Sequence, residues 1–187
     1  MNEVIKAILE RRSVRAYRDD PVERAHLEEI VRAGLYAPSA RNTQAWHVSV
    51  VRDRAKIEEL GRELKAAIIR GRVEQYLALA NSPEYRMGFG APVFMIVSAD
   101  PDDSPCPKQD SALVLGNMFL AAHSLGVGSC WVNQLCPVTD DPAFRQKLDG
   151  LGVPPSHKVY GAAAFGYNAG AHPRPPIRRE NTVSWIG

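Results

Sequence analysis

Apolar positions along the chain follow three rhythms, and each predicts a different element. Val4, Ile5, Ile8 and Leu9 recur at helical spacing, so an amphipathic helix is expected to run to about Arg11. Leu27, Ile30, Val31 and Leu35 predict a second helix. It must stop before Pro38, because the residue preceding a proline is pushed out of the α region. Trp46, Val48 and Val50 alternate with His47 and Ser49, the period of a half-buried strand with the first three turned inward. Asp53 stands where a third helix, carrying Ile57, Leu60, Leu64 and Ile68, needs an N-cap. A shorter helical piece follows over residues 73–80.

The third rhythm is the continuous apolar run over residues 92–97, which reads as a strand covered on both faces. Asp110 is the expected N-cap of a helix over residues 111–125, and Gly126 its stop. That helix is apolar nearly all round, which puts it at the centre of the molecule or of an oligomer. Residues 130–135 and 158–165 are further strand candidates, separated by a helix that starts at Asp141-Pro142 and ends near Gly150. From Asn168 onward, Pro173, Pro175 and Pro176 predict an extended arm. The whole of 1–187 is expected to be one α+β domain, with helices around a small sheet.

Composition narrows the class. At 187 residues, with 45% hydrophobic and 24% charged residues, the chain can bury roughly 70% of its unfolded surface, which excludes a disordered polymer. A net charge of +2 excludes nucleic-acid binding by bulk charge. Cys106, Cys130 and Cys136 leave one thiol over in any pairing and form no C-x-x-C, and the five histidines fall at no zinc spacing, so no disulfide framework and no metal is expected. Glu3, Lys6 and Glu10 interrupt any signal-peptide core at the N-terminus. The most apolar stretch, residues 111–125, would reach only about 22 Å as a helix, short of a bilayer core. A cytoplasmic location is the expectation. One bias stands out: 17 of the 23 basic residues are Arg, whose planar fork suits carboxylates and phosphates.

Position decides what that bias means. Arg11, Arg12, Ser13 and Arg15 lie within five residues just past the first helix. They can grip a phosphate and leave a cation for a second acceptor, or simply form a solvated basic helix end. The link over residues 37–46 is dense in amides and hydroxyls: Ser39, Asn42 and Gln44 suit the edge of a flat heteroaromatic ring, or merely build the turn. Gly126, Gly128 and Ser129 close the long helix, allowing close backbone approach to a ligand or just a helix stop. They form neither a dinucleotide fingerprint nor a P-loop. Cys130 reads as a small core residue. Arg174, Arg178 and Arg179 form a second Arg group in the tail.

Taken in order, RRSVRAY, APSARNTQAW, GAPVFMIVSAD, a helix carrying Asp110, Ala112 and NMFLAA before GVGSCW, then FGYNAG, the Arg178-Arg179 pair and VSW resemble the FMN-dependent nitroreductase family. The resemblance runs from Arg11 to Trp185. The sequence departs from the family pattern at Asn168, where a Pro often follows the Gly-Tyr pair, and at Ala45, where a Pro commonly precedes the Trp. The resemblance implies an α+β, nitroreductase-like fold with helices packed around a small mixed sheet, forming an intertwined homodimer with two FMN sites at the subunit interface. It assigns Arg11, Arg12 and Ser13 to the ribityl phosphate and Arg15 to the pyrimidine edge of the ring. Pro38, Ser39, Asn42 and Gln44 would reach the FMN bound mainly by the other subunit. Gly128 and Ser129 would bring main-chain groups to the ring, with Arg178 or Arg179 completing the phosphate site.

The activity it implies is ping-pong reduction of nitroaromatic, quinone or similar acceptors by NAD(P)H, with the chemistry at flavin N5 and no catalytic side chain. Acceptor selection would lie between Gly61 and Gly90. Two other readings stay open: a specialised flavin enzyme of the same fold (dehydrogenase, dehalogenase or flavin-consuming), and a non-catalytic FMN-binding protein.

Overall fold

In the computed structural model, which describes residues 1–187, the predicted strands assemble into one sheet. They are β1 (Trp46–Val51), β2 (Val93–Ala99), β3 (Gly128–Val132) and β4 (Lys158–Gly166), in the order β1-β2-β4-β3. The helices are α1 (Glu3–Glu10), α2 (Arg24–Leu35), α3 (Arg54–Arg70), α4 (Glu74–Asn81), α5 (Pro107–Ser124) and α6 (Pro142–Gly150). The α+β class stands, but the expected mixed sheet does not: all three strand pairings are antiparallel. The reason is topological. β2 and β3 run parallel and are joined through α5, yet β4 is inserted between them in the opposite sense. The parallel pairing that does occur is an isolated bridge, Ser13 to Ser129.

Both sheet faces are covered, which is why the apolar run of β2 shows no alternation: all seven of its residues are buried. Phe94 and Ile96 face a cluster filled from α3 and α6 by Leu60, Leu64, Phe144 and Leu148. Val93, Met95 and Val97 face a second cluster with Ile30 of α2 and Val114, Leu115 and Met118 of α5. β4 turns Gly161 and Ala163 toward α5, small enough for the helix to come close, and Ala162 and Ala164 toward the other cluster. A Cβ on Gly161 would stand 2.6 Å from Leu115 Cδ1 and 3.0 Å from the Trp131 ring. Gly34 of α2 similarly admits Met118, whose Cγ would lie 2.7 Å from an added Cβ.

Two local expectations are corrected. Trp46 and Val48 pack against the second cluster as expected, but Val50 on the same face is exposed, whereas Ser49 and Val51 on the other face are buried. With both faces of the sheet occupied, the larger cluster takes the opposite face of β1. Asp110 does not cap α5, which begins at Pro107 with Cys106 as N-cap. Pro107 has its φ preset for a first helical position, so the helix starts four residues early. Asp53 and Asp141 do cap α3 and α6, accepting from Lys56 N at 3.2 Å and Phe144 N at 3.0 Å. Gly126, at φ +72°, ends α5 as expected.

The extended tail is tied down at its start only. Asn168 bridges to Tyr17, Ala169 N donates to Ala16 O, and a His172 ring nitrogen lies 3.0 Å from Glu10 O. Beyond it, Ile177, Trp185 and Ile186 are 100%, 94% and 98% exposed. α1 buries none of its residues, and its apolar face of Val4, Ile5, Ile8 and Leu9 is open. No helix is long and apolar enough to cross a membrane.

His157 gives the fold a pH dependence. Its Nδ1 lies 3.2 Å from buried Ser98 Oγ, and its ring stands edge-on to His47 at 6.2 Å. Burial lowers its pKa; Asp100 opposes this and His47 adds to it. The folded protein therefore favours the neutral ring, and the unfolded chain binds more protons as pH falls below the usual histidine value. Stability is full above that value and declines as pH drops through the folded pKa. The denaturant midpoint should fall between pH 7.5 and 5.5, and His157→Gln should flatten part of that slope.

Candidate functional site

The Arg-rich segment leaves α1 at Arg11 and runs alongside the free edge of β3. Val14 N donates to Ser129 O at 3.0 Å, next to the Ser13–Ser129 bridge, and Tyr17 Oη donates to Val14 O at 2.7 Å. Gly128 makes this approach possible: a Cβ there would stand 2.8 Å from the Val14 side chain. The bare glycine thus receives Val14, while Ser129 is buried with its carbonyl engaged. Their function in the structure is to hold the strand of residues 13–15 in place.

Around that strap the predicted phosphate residues converge. Arg11, Arg12, Gly128 and Ser129 line one cavity of about 180 Å³, together with Asn168, where the sequence departs from the family pattern, and His172, which sequence patterns did not single out. The Arg11 guanidinium lies over the Phe119 ring at 5.8 Å, a cation–π contact that orients it. Arg12 Nη1 donates to Leu9 O at 2.8 Å and Arg11 O at 2.7 Å, so it also serves the carbonyl end of α1. Its Nε, however, is buried with no partner. An orphaned buried donor calls for an acceptor. Arg15 points elsewhere along the strap: its guanidinium lies 5.8 Å over Phe89, beside a cavity that Gln134 also lines. Gln134 Oε1 is buried without a partner too.

The polar loop lies at the other end of α5. Ser39 Oγ accepts from Gln44 N at 3.0 Å, and Gln44 Nε2 donates to Asn42 Oδ1 at 3.0 Å, while Pro38 is exposed. Arg41, Asn42 and Gln44 have φ of +54°, +57° and +50°, a left-handed region that is strained for residues with a Cβ. What holds the loop is Asp110: its Oδ1 accepts from Ala40 N at 3.0 Å and its Oδ2 from Ser104 Oγ at 2.7 Å. The sequence pattern cast Asp110 as a helix cap, which it is not, and could not show this tie, because its partner is 70 residues away in sequence.

The structure therefore brings Arg11, Arg12, Ser13, Gly128 and Ser129 together and keeps Pro38, Ser39, Asn42 and Gln44 apart from them. The two groups flank α5, whose 18 residues span roughly 27 Å. Arg178 and Arg179 lie on the exposed tail and touch neither group. His123, at the strap end of α5, has its pKa lowered by burial and then by His172, whose ring is 6.1 Å away.

A cation-lined cavity thus stands at one end of a central helix and a strained polar loop at the other, on a four-stranded antiparallel α+β frame. The family model described as the Nitroreductase family matches residues 8–167, and the chain belongs to that family. A relative from Archaeoglobus fulgidus, by name an NADH dehydrogenase/NAD(P)H nitroreductase, is 33% identical over 171 residues, spanning 89% of this chain and 86% of its own. The FMN reductase [NAD(P)H] of Bacillus subtilis is 28% identical over 82% of this chain and 66% of its own. Among solved structures, a Bacteroides fragilis nitroreductase with bound FMN shares 39% identity over the full length of both chains, at a TM-score of 0.95.

The Asp110 tie is open to test. Asp110→Ala leaves Ala40 N–H and the Ser104 hydroxyl without their acceptor and should destabilise the protein by about 1–3 kcal/mol in urea unfolding. Amide exchange at Ala40 should accelerate more than exchange in β2.

Proposed function

We propose that this chain is an FMN-dependent oxidoreductase that takes electrons from NAD(P)H and passes them, in ping-pong fashion, to a nitroaromatic, quinone or similar acceptor. The observation that carries the reading is the strap cavity, where a buried, unpartnered Arg12 Nε sits among Arg11, Gly128 and Ser129. That donor set fits a phosphate monoester: charged forks, Ser129 of β3, and no carboxylate on the wall.

In this reading Arg11, Arg12 and Ser13 hold the phosphate, and Arg178 or Arg179 completes the site from the tail. Arg15 offers a fixed positive charge to the pyrimidine edge of the ring. FMN, when bound, supplies the redox chemistry by accepting and releasing hydride at N5. The protein binds, orients and shields, and no side chain is asked for general acid–base work.

Pro38, Ser39, Asn42 and Gln44 belong, on the same reading, to the FMN held mainly by a second copy of the chain. Two features support a homodimer. The half-sites flank a helix roughly 27 Å long, and the open apolar face of α1 and the exposed tail apolars await cover.

The decisive experiment is optical. The purified protein should show flavin absorbance that NADPH or NADH bleaches under anaerobic conditions and that an added quinone or nitroaromatic restores. Absence of flavin uptake would sink the reading, and flavin that neither donor bleaches would leave a non-catalytic FMN-binding protein.

Arg11→Ala should weaken FMN binding by about 1.5–3 kcal/mol, the range for a hydrogen bond to a charged group. Fluorescence titration of the apoprotein reads it directly, and unchanged affinity would remove Arg11 from the phosphate site.

A further inference from the structure

Residues 61–90 carry positive charge that the strap cavity does not use. Two cavities of about 510 and 520 Å³ flank the connection between α4 and β2. Arg15 and Phe89 border the first. The second is walled on the α3 side by Arg54, Glu58, Arg62 and Lys65. Tyr85 and Arg86 line both, so the two cavities lie on either side of one shared wall.

The cations of the second cavity are unequally engaged. Arg54 pairs with Asp19 at 2.7 Å and Glu58 at 3.4 Å. Lys65 Nζ donates once, to Ser82 O at 2.9 Å, and retains two further protons to donate. Arg62 and Arg86 form no ion pair, and Glu58 is the one carboxylate on the wall. Tyr85 adds a neutral donor: its hydroxyl is buried without a partner. Burial pushes its pKa up to about 12, so the proton stays on at neutral pH. The intervening turn is fixed in an unusual shape, with Gly88, Phe89 and Gly90 all at positive φ. Phe89, at φ +60°, is a strained position that holds Arg86 and the Phe89 ring at the border of the first cavity.

We propose that this second cavity receives the adenosine 2′-phosphate of the donor dinucleotide, with Arg62 and Arg86 as the residues that make the protein prefer NADPH to NADH. The redox role of that donor rests on the function proposed above; binding of the phosphate itself does not. The nicotinamide end has to work beside Arg15, in the first cavity, and the second cavity, across the shared wall of Tyr85 and Arg86, is the neighbouring cation-lined space that the flavin phosphate does not claim. A 2′-phosphate is close to dianionic at neutral pH and offers three strong acceptor oxygens to unpaired guanidinium groups, Lys65 and the Tyr85 hydroxyl. NADH has a neutral hydroxyl at that position and leaves those donors to solvent.

Titration calorimetry on the full-length, FMN-loaded protein tests this with adenosine 2′,5′-bisphosphate, 5′-AMP and inorganic phosphate as probes. The bisphosphate should bind about tenfold or more tightly than 5′-AMP, the scale of one charge-assisted hydrogen bond. Arg62→Ala and Arg86→Ala should each remove most of that advantage while leaving 5′-AMP affinity and flavin absorbance unchanged. The NADPH-to-NADH ratio of kcat/KM should fall in parallel. Equal binding of the two nucleotides, an advantage that survives both replacements, or inorganic phosphate binding as tightly as the bisphosphate would each overturn the proposal. The two readings fail separately. A flavoprotein bleached equally well by both donors defeats only this one. A protein that takes up no flavin yet selects the bisphosphate through Arg62 and Arg86 defeats only the oxidoreductase reading.

Discussion

The close approach of α5 to β4 governs the rest of the molecule. It depends on two small residues, Gly161 and Ala163, on the α5 face of the strand that separates β2 from β3. Leu115 occupies the space a side chain at Gly161 would need. Interiors packed at crystal-like density do not absorb an extra methyl there without moving the helix. Because α5 is fixed, so are its ends. Its first turn carries Asp110, which holds the loop at Ala40. Its last turn leads through Gly126 into β3, whose edge holds Val14.

A rigid spacer of that length has a consequence for ligand binding. One copy of the chain offers a cation-lined cavity and a strained polar loop, but at opposite ends of the helix that fixes them. The strain at Arg41, Asn42 and Gln44 is not needed to close the sheet or fill either hydrophobic cluster, since none of the three is buried. Backbone strain that serves no core is expected where a binding surface is being shaped. On the dimer reading, each copy supplies both ends, and the apolar face of α1 meets a partner where one chain leaves it open.

Much of this was legible in the sequence, and what was not has a common cause. Capping by Asp53 and Asp141 and the stop at Gly126 follow from local rules, because their partners lie within a few residues, while the two-sided burial of β2 and the extended tail are written in composition, an unbroken apolar run and a proline-rich stretch. The family resemblance was carried by segments such as RRSVRAY, whose residues the structure does gather. Hidden were the relations set by topology. The insertion of β4 between β2 and β3, the inward turn of Ser49 in place of Val50, and the bond from Ala40 to Asp110 each depend on elements tens of residues apart. Gly128 is instructive in a different way. Its value to a ligand site was read as bareness, yet the structure fills that space with Val14 and uses the glycine to seat the strap.

The arginine bias resolves along the same line. Arg18, Arg24, Arg32, Arg54, Arg70 and Arg145 stand in ion pairs with nearby carboxylates. Such pairs are mostly solvent-exposed and contribute little to stability, so this group is consistent with compositional drift. Arg11, Arg12, Arg15, Arg62 and Arg86 are different: none has an acidic partner, and all five line cavities. An unpaired cation on an open helix face is readily solvated and carries no message. Five gathered at three cavities, with buried unpartnered Arg12 Nε and Tyr85 Oη among them, amount to donor sets left without acceptors of their own. On the function proposed above, the matching acceptors would be phosphates. The strap cavity suits the monoester of the flavin, and the α3 cavity suits the phosphate that distinguishes one donor dinucleotide from the other.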